Sequence, residues 1–211
     1  MIALRHPIRA KVNDRYRFLV HLLQEYPNLI GDWEEQTAQE FKTLAKKEAN
    51  GDCEVENDIF LHNIRAFDDI DFRKDLFYKS MLIMAYSYFE GCKVIIKSET
   101  DEIIDSDKIA SIYHKKQLAM PDKLSKALAF MNKIRELRNN IAHNNCGTFK
   151  SIESLKELSK DWDGVDFEYN KDIYHNELII SKPDIIMETL NQAYYILSDI
   201  CEKLNYKTTL I

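Results

Sequence analysis

Apolar residues recur along this chain mostly at the spacing of a helix. Val12, Tyr16, Leu19, Val20 and Leu23 predict a first helix from Arg5 to Tyr26, closed by Pro27. A second is expected from Trp33 to Ala49, with Asp32 as its cap and Asn50-Gly51 as its stop. Residues 50–71 read as an acidic connecting segment with one short helix around Asp58 to Phe67. From Phe72 to Lys97 there is no proline and the middle is apolar on nearly every side, the pattern of a central helix surrounded by others. Gly91 lies inside that pattern, where glycine costs about 1 kcal/mol relative to alanine; the close approach of another helix would account for it.

Residues 98–120 form a second connecting segment, with one turn of helix before Lys115. Pro121 then opens a long helix that reaches about Asn144 and ends at Asn144-Asn145-Cys146-Gly147. After a short helix around Ser151 to Ser159 the period changes. Val165, Phe167 and Tyr169 alternate with Asp166 and Glu168, and Leu178 and Ile180 alternate in the same way, which predicts a β-hairpin across 163–182 with its loop between Asn170 and Asn176. A last helix places Ile186, Leu190, Ala193, Leu197, Ile200 and Leu204 on one face. The fold class is therefore mainly α, with a small β-hairpin before the C-terminal helix.

Composition sharpens this picture in three ways. A chain of 211 residues, 45% of them hydrophobic, with five Gly and four Pro, has material for one core and few places to break it, so 1–211 reads as a single domain. Cys53, Cys92, Cys146 and Cys201 stand far apart, without metal-knuckle spacing or a disulfide framework, which implies reduced thiols, no bound metal, no cofactor and a cytoplasmic setting. The basic stretch Met1 to Val12 lacks the apolar continuation of a signal peptide, and the apolar run Met81 to Phe89 is too short to span a bilayer, so no membrane partner is expected.

The net charge of -6 gives the whole molecule no general attraction for a polyanion, so nucleic-acid binding requires a local patch. One candidate is the 121–143 helix, where Lys123, Lys126, Lys133, Arg135 and Arg138 face only Asp122 and Glu136. A second is Arg5, Arg9, Lys11, Arg15 and Arg17. An ordinary solvated face would look the same in either case.

On the 121–144 helix, Leu124, Ala127, Leu128 and Met131 form an apolar stripe whose continuation leads to Arg135, Arg138 and Ala142. Two guanidinium groups thus stand where the earlier turns are apolar, while Ile134, Leu137 and Ile141 carry the hydrophobic contact off to one side. One reading is a snorkelling or ion-paired arginine. The other is a functional cation beside Asn139 and His143, which share a face four residues apart. His143 can exchange a proton near neutral pH, Arg138 can bind a phosphate and its developing charge, and Asn139 can orient the imidazole. With the 2′-hydroxyl of RNA as nucleophile, this set suffices for cleavage without a metal. A thiol–imidazole pair of His143 and Cys146 is a third, weaker reading.

Arg138-Asn139-Asn140-Ile141-Ala142-His143 resembles the R-x(4–6)-H motif of the HEPN superfamily, in which Asn commonly follows the Arg. The resemblance implies an up-and-down helical bundle covering about residues 10 to 205, and a homodimer whose two motifs face each other in one composite site. It also implies endoribonuclease activity in a toxin or an antiviral, abortive-infection effector, with an antitoxin or defence-system protein as partner. On this basis Arg138 and His143 would be catalytic and Asn139 and Glu90 supporting, while Arg135, Lys133 and Asn144 would contact the RNA. The position two residues after the His, often Tyr in toxins paired with a nucleotidyltransferase, is Asn145 here, so regulation by modification there is not implied. The alternative function is a catalytically inactive module of the same fold that binds RNA, a nucleotide or another protein.

Overall fold

The helical periodicity folds into five helices and three short strands among residues 7–64, 68–100, 109, 113, 114, 117–143, 148, 149, 160, 162–170 and 175–203, which the computed structural model describes. In chain order these are α1 (Pro7–Glu48), α2 (Cys53–Ile64), α3 (Asp68–Thr100), α4 (Asp122–His143), β1 (Thr148–Phe149), β2 (Val165–Asn170), β3 (His175–Ile180) and α5 (Asp184–Lys203). The fold is mainly α. The expected helix at Ser151 to Ser159 lies outside the described residues, and of the turn expected before Lys115 the described residues Ile109, Tyr113 and His114 are helical.

The two helices expected on either side of Pro27 are one, because α1 runs through the proline. An internal proline removes one backbone hydrogen bond and costs about 3 kcal/mol. Packing on α3 offsets this from both sides. Tyr26 stacks on Phe77 and meets Tyr78 edge-on, while beyond the proline Arg73 lies over the Trp33 ring and Lys74 pairs with Glu34 at 2.9 Å. The helix ends at the expected place, where Asn50 and Gly51 take positive φ values of 47° and 92°. The segment expected to connect is itself largely helical. Asp52 Oδ1 caps α2 by accepting from the amides of Glu54 and Val55, so this helix starts earlier than Asp58.

The core forms where α3 and α5 pack together, with α1 and α4 against them. Leu82, Ala85, Phe89 and Ile96 of α3 meet a face of α5 whose Ile186, Leu190, Ala193, Leu197 and Ile200 are all buried. A polar seam fixes α1 on α5: Tyr16 stacks on Tyr194 and donates to Asn191 at 2.8 Å, and Tyr194 donates to Asn13 at 3.0 Å. Helices α4 and α5 begin alike, since the carbonyls of Pro121 and Pro183 each accept from the amides three and four residues on.

The hairpin is present and carries an added strand. β2 pairs antiparallel with β3 from Val165↔Ile180 to Asn170↔His175. β1 pairs with the other edge of β3 through Thr148↔Glu177 and Phe149↔Asn176. The order β1-β3-β2 makes β3 the central strand. Two residues are too few to show a strand period, which is why β1 went unforeseen. At Gly164, with φ 79°, a side chain would meet Lys182 Cβ at 2.5 Å, so the turn into β2 requires glycine. One anchor ties the sheet to the helices: Ile180 N–H donates to Asp75 Oδ1 at 2.7 Å, and the other carboxylate oxygen takes Lys79 Nζ at 2.5 Å.

Candidate functional site

Which side of α4 faces the core decides where the motif points. Its buried row is Leu124, Ala127, Met131, Ile134, Leu137 and Ile141. The hydrophobic contact passes to Ile134, Leu137 and Ile141 as expected, and the line through Arg135, Arg138 and Ala142 is not the buried one. Past Met131, contact with α3 and α5 selects Ile134, Leu137 and Ile141, while Arg135 and Ala142 are exposed and Arg138 is half-buried at the edge of the row. Arg138 is thus a cation on the rim of the core rather than an interruption of it.

Its environment is uneven. Nη1 donates to Asn139 Oδ1 at 2.9 Å, whereas Nε is buried with no hydrogen-bond partner among the described residues. Leaving a buried donor unsatisfied costs about 1–3 kcal/mol, and this donor belongs to a permanent cation. Across the helix interface is the buried Tyr86 of α3, which hydrogen-bonds Glu90 one turn on and lies within electrostatic reach of Arg135 and Arg138. Burial first, and then the Glu90 carboxylate, push the phenol well above its ordinary value of 10, so its proton stays on and is donated to Glu90. Glu90 also receives Lys93 Nζ at 2.7 Å, and that ammonium sits over the Phe89 ring. The structure therefore gathers Glu90, Arg135 and Arg138 around Tyr86.

No known protein family, curated protein or solved structure matches the chain. Its chemistry is read from these residues and their placement alone.

His143 is exposed in the last turn of α4. Five residues of helix set it roughly 7.5 Å along the axis from Arg138 and about 140° around it, and among the described residues no hydrogen bond joins the two. Asn139, one turn before His143, is exposed and already accepts from Arg138. Lys133 is exposed, and Asn144 and Cys146 lie outside the described residues. Also among the described residues, no three His, Cys, Asp or Glu side chains gather as a metal site, and no helix is long and apolar enough to cross a membrane.

Tyr86 and Lys93 were missed in the sequence because both sit on a helix that reads as core. The available signal was the i, i+4 spacing of Tyr86 and Glu90, which places a phenol beside a carboxylate. Gly91 has a simpler neighbour than a second helix backbone: a Cβ there would stand 3.5 Å from Arg15 Nη1 of α1, an ordinary contact.

Proposed function

We propose that this chain is a metal-independent endoribonuclease with Arg138 and His143 as its catalytic pair, acting as a toxin or antiviral effector in the manner of HEPN proteins. The observation that carries the reading is the Arg138 guanidinium, half-buried at the rim of the core with Nε lacking an acceptor among the described residues. A phosphate oxygen supplies that acceptor and the counter-charge together.

In the proposed reaction His143 removes the proton from a ribose 2′-hydroxyl. The freed oxygen attacks the adjacent phosphorus while Arg138 neutralises the charge gathering on the non-bridging oxygens. The bond to the 5′-oxygen breaks, that oxygen takes up a proton, and the products are a 2′,3′-cyclic phosphate and a 5′-hydroxyl. One imidazole serves as base; a second, from the facing motif of a homodimer, serves as acid. The outward placement of His143 suits such a composite site, because the residue is accessible to a second subunit. An antitoxin or defence partner would act by covering this end of α4.

The same exposure favours one competing reading, since no described group orients the imidazole: a module that holds RNA without cutting it. Incubating the purified chain with mixed RNA and excess chelator, beside Arg138→Ala and His143→Ala, separates the two. Cleavage that disappears in both folded variants supports the nuclease, and RNA binding without turnover in the parent chain supports the module.

A further inference from the structure

On the flank of α3 opposite Tyr86 and Glu90, a groove of about 500 Å³ opens between α3 and α1, walled by Phe18, Leu19, Met84 and Tyr88 and edged by Asp14, Arg15 and Ser87. Its size is that of a small-ligand site. Phe18 is 62% exposed and Met84 40%, so this aromatic and this thioether face solvent. The Tyr88 hydroxyl is directed away, to the carbonyl of Val12. Along the same side of α1, Lys11 and Arg15 are exposed against Asp14, a local excess of one positive charge in a chain of net charge -6.

We infer that this groove is a nucleobase subsite, taking a base of single-stranded RNA against Phe18 while Arg15 holds the adjoining phosphate. The inference rests on the nuclease reading for its substrate class and adds a second point of contact. Glu90 and Gly91 are neighbours in α3; the first is bonded to Tyr86, beside Arg135 and Arg138, and the second lies under the Arg15 guanidinium. The groove and the candidate site therefore flank one turn of one helix, roughly 10 Å across with its side chains. An exposed aromatic ring, a hydroxyl at the edge and a neighbouring guanidinium form the usual surface for an unstacked base and its phosphate.

The test uses the full chain carrying His143→Ala, so that the probe survives, and a 5′-fluorescein-labelled mixed-sequence oligoribonucleotide read by anisotropy. Adding Phe18→Ala is expected to weaken binding about 5- to 150-fold, and the deficit shrinks on a matching oligonucleotide whose bases are removed. Arg15→Ala is expected to weaken both probes alike and to reduce the salt slope by about one. Phe72→Ala, an exposed aromatic at the other end of α3, is expected to change neither. The inference is overturned by unchanged affinity in Phe18→Ala, by absence of RNA binding, or by a Phe18→Ala effect confined to the sedimenting mass, which assigns the groove to a second copy. Cleavage by the parent chain is measured separately. Cleavage without a Phe18 effect on binding removes the subsite alone, and Phe18-dependent binding without cleavage removes the nuclease alone.

Discussion

At residues 75 and 79 helix α3 buries a carboxylate and an ammonium; about three turns later the same helix presents Tyr86 and Glu90 to the arginines of α4. In the first cluster both oxygens of Asp75 are engaged, one by Lys79 and one by the Ile180 amide. In the second, Glu90 is shared between Tyr86 and Lys93 and the Arg138 Nε has no acceptor among the described residues. The first is a closed joint holding a sheet to a helix. The second retains bonding capacity, and retained capacity is what a ligand uses.

The contrast is open to test, and the largest effect is expected in catalysis. His143→Ala and Arg138→Ala should each lower RNA cleavage about 10²- to 10⁴-fold with little change in circular dichroism or melting temperature; a folded variant with full activity moves the chemistry elsewhere. Next comes Asp75→Ala. It leaves Lys79 buried without this carboxylate and deprives Ile180 of its acceptor, so denaturant titration should show a loss of about 3–5 kcal/mol. A loss under about 1 kcal/mol would dissolve the distinction between the clusters.

Arg138→Met probes the other side. It removes an unsatisfied donor while keeping the apolar stem, and stability is expected to stay within about 1 kcal/mol of the parent. A large drop would show Arg138 to be structural.

The smallest effect is in pH dependence. Burial, with repulsion from Glu177, outweighs Lys79 and the Ile180 amide and raises the Asp75 carboxyl above its ordinary 3.8. The folded chain then holds this proton more tightly than the unfolded chain. The group's contribution to stability is complete below 3.8 and fades as pH climbs through the raised folded value. Asp75→Asn should flatten that stretch of the plot of denaturation midpoint against pH, and an unaltered slope would mean the carboxyl does not titrate there.

The two clusters also differ in how legible they are from sequence. Periodicity placed α3, α4, α5 and the hairpin, because each buries one face and repeats at its own period. It singled out Arg138, where the earlier turns of its helix are apolar, whereas Glu90 came only from the family resemblance. Asp75 and Lys79 drew no functional or core reading from the sequence, since their burial depends on a strand some hundred positions later. Pro27 misled for the same reason. Its local cost is visible in the chain, whereas the stacking of Tyr26 on Phe77 is not. The buried row of α4 passes to Ile134, Leu137 and Ile141 as expected, whereas the half-burial of Arg138 at its edge depends on contact with α3 and α5, which the chain alone does not display.

The pairing of β1 with β3 has a consequence for the order of assembly. Thr148 meets Glu177, 29 positions further along the chain, and β1 itself begins five residues after His143. Glu90, Arg138 and His143 need only local hydrogen bonds to become helical, whereas the strand beyond them waits for its partner. At about 5–20 residues per second of synthesis, the 34 positions from His143 to Glu177 take roughly 2–7 s to be made. Throughout that interval a ribosome-bound chain carries every named residue of the candidate site while the strand that tethers the end of α4 is still unpaired.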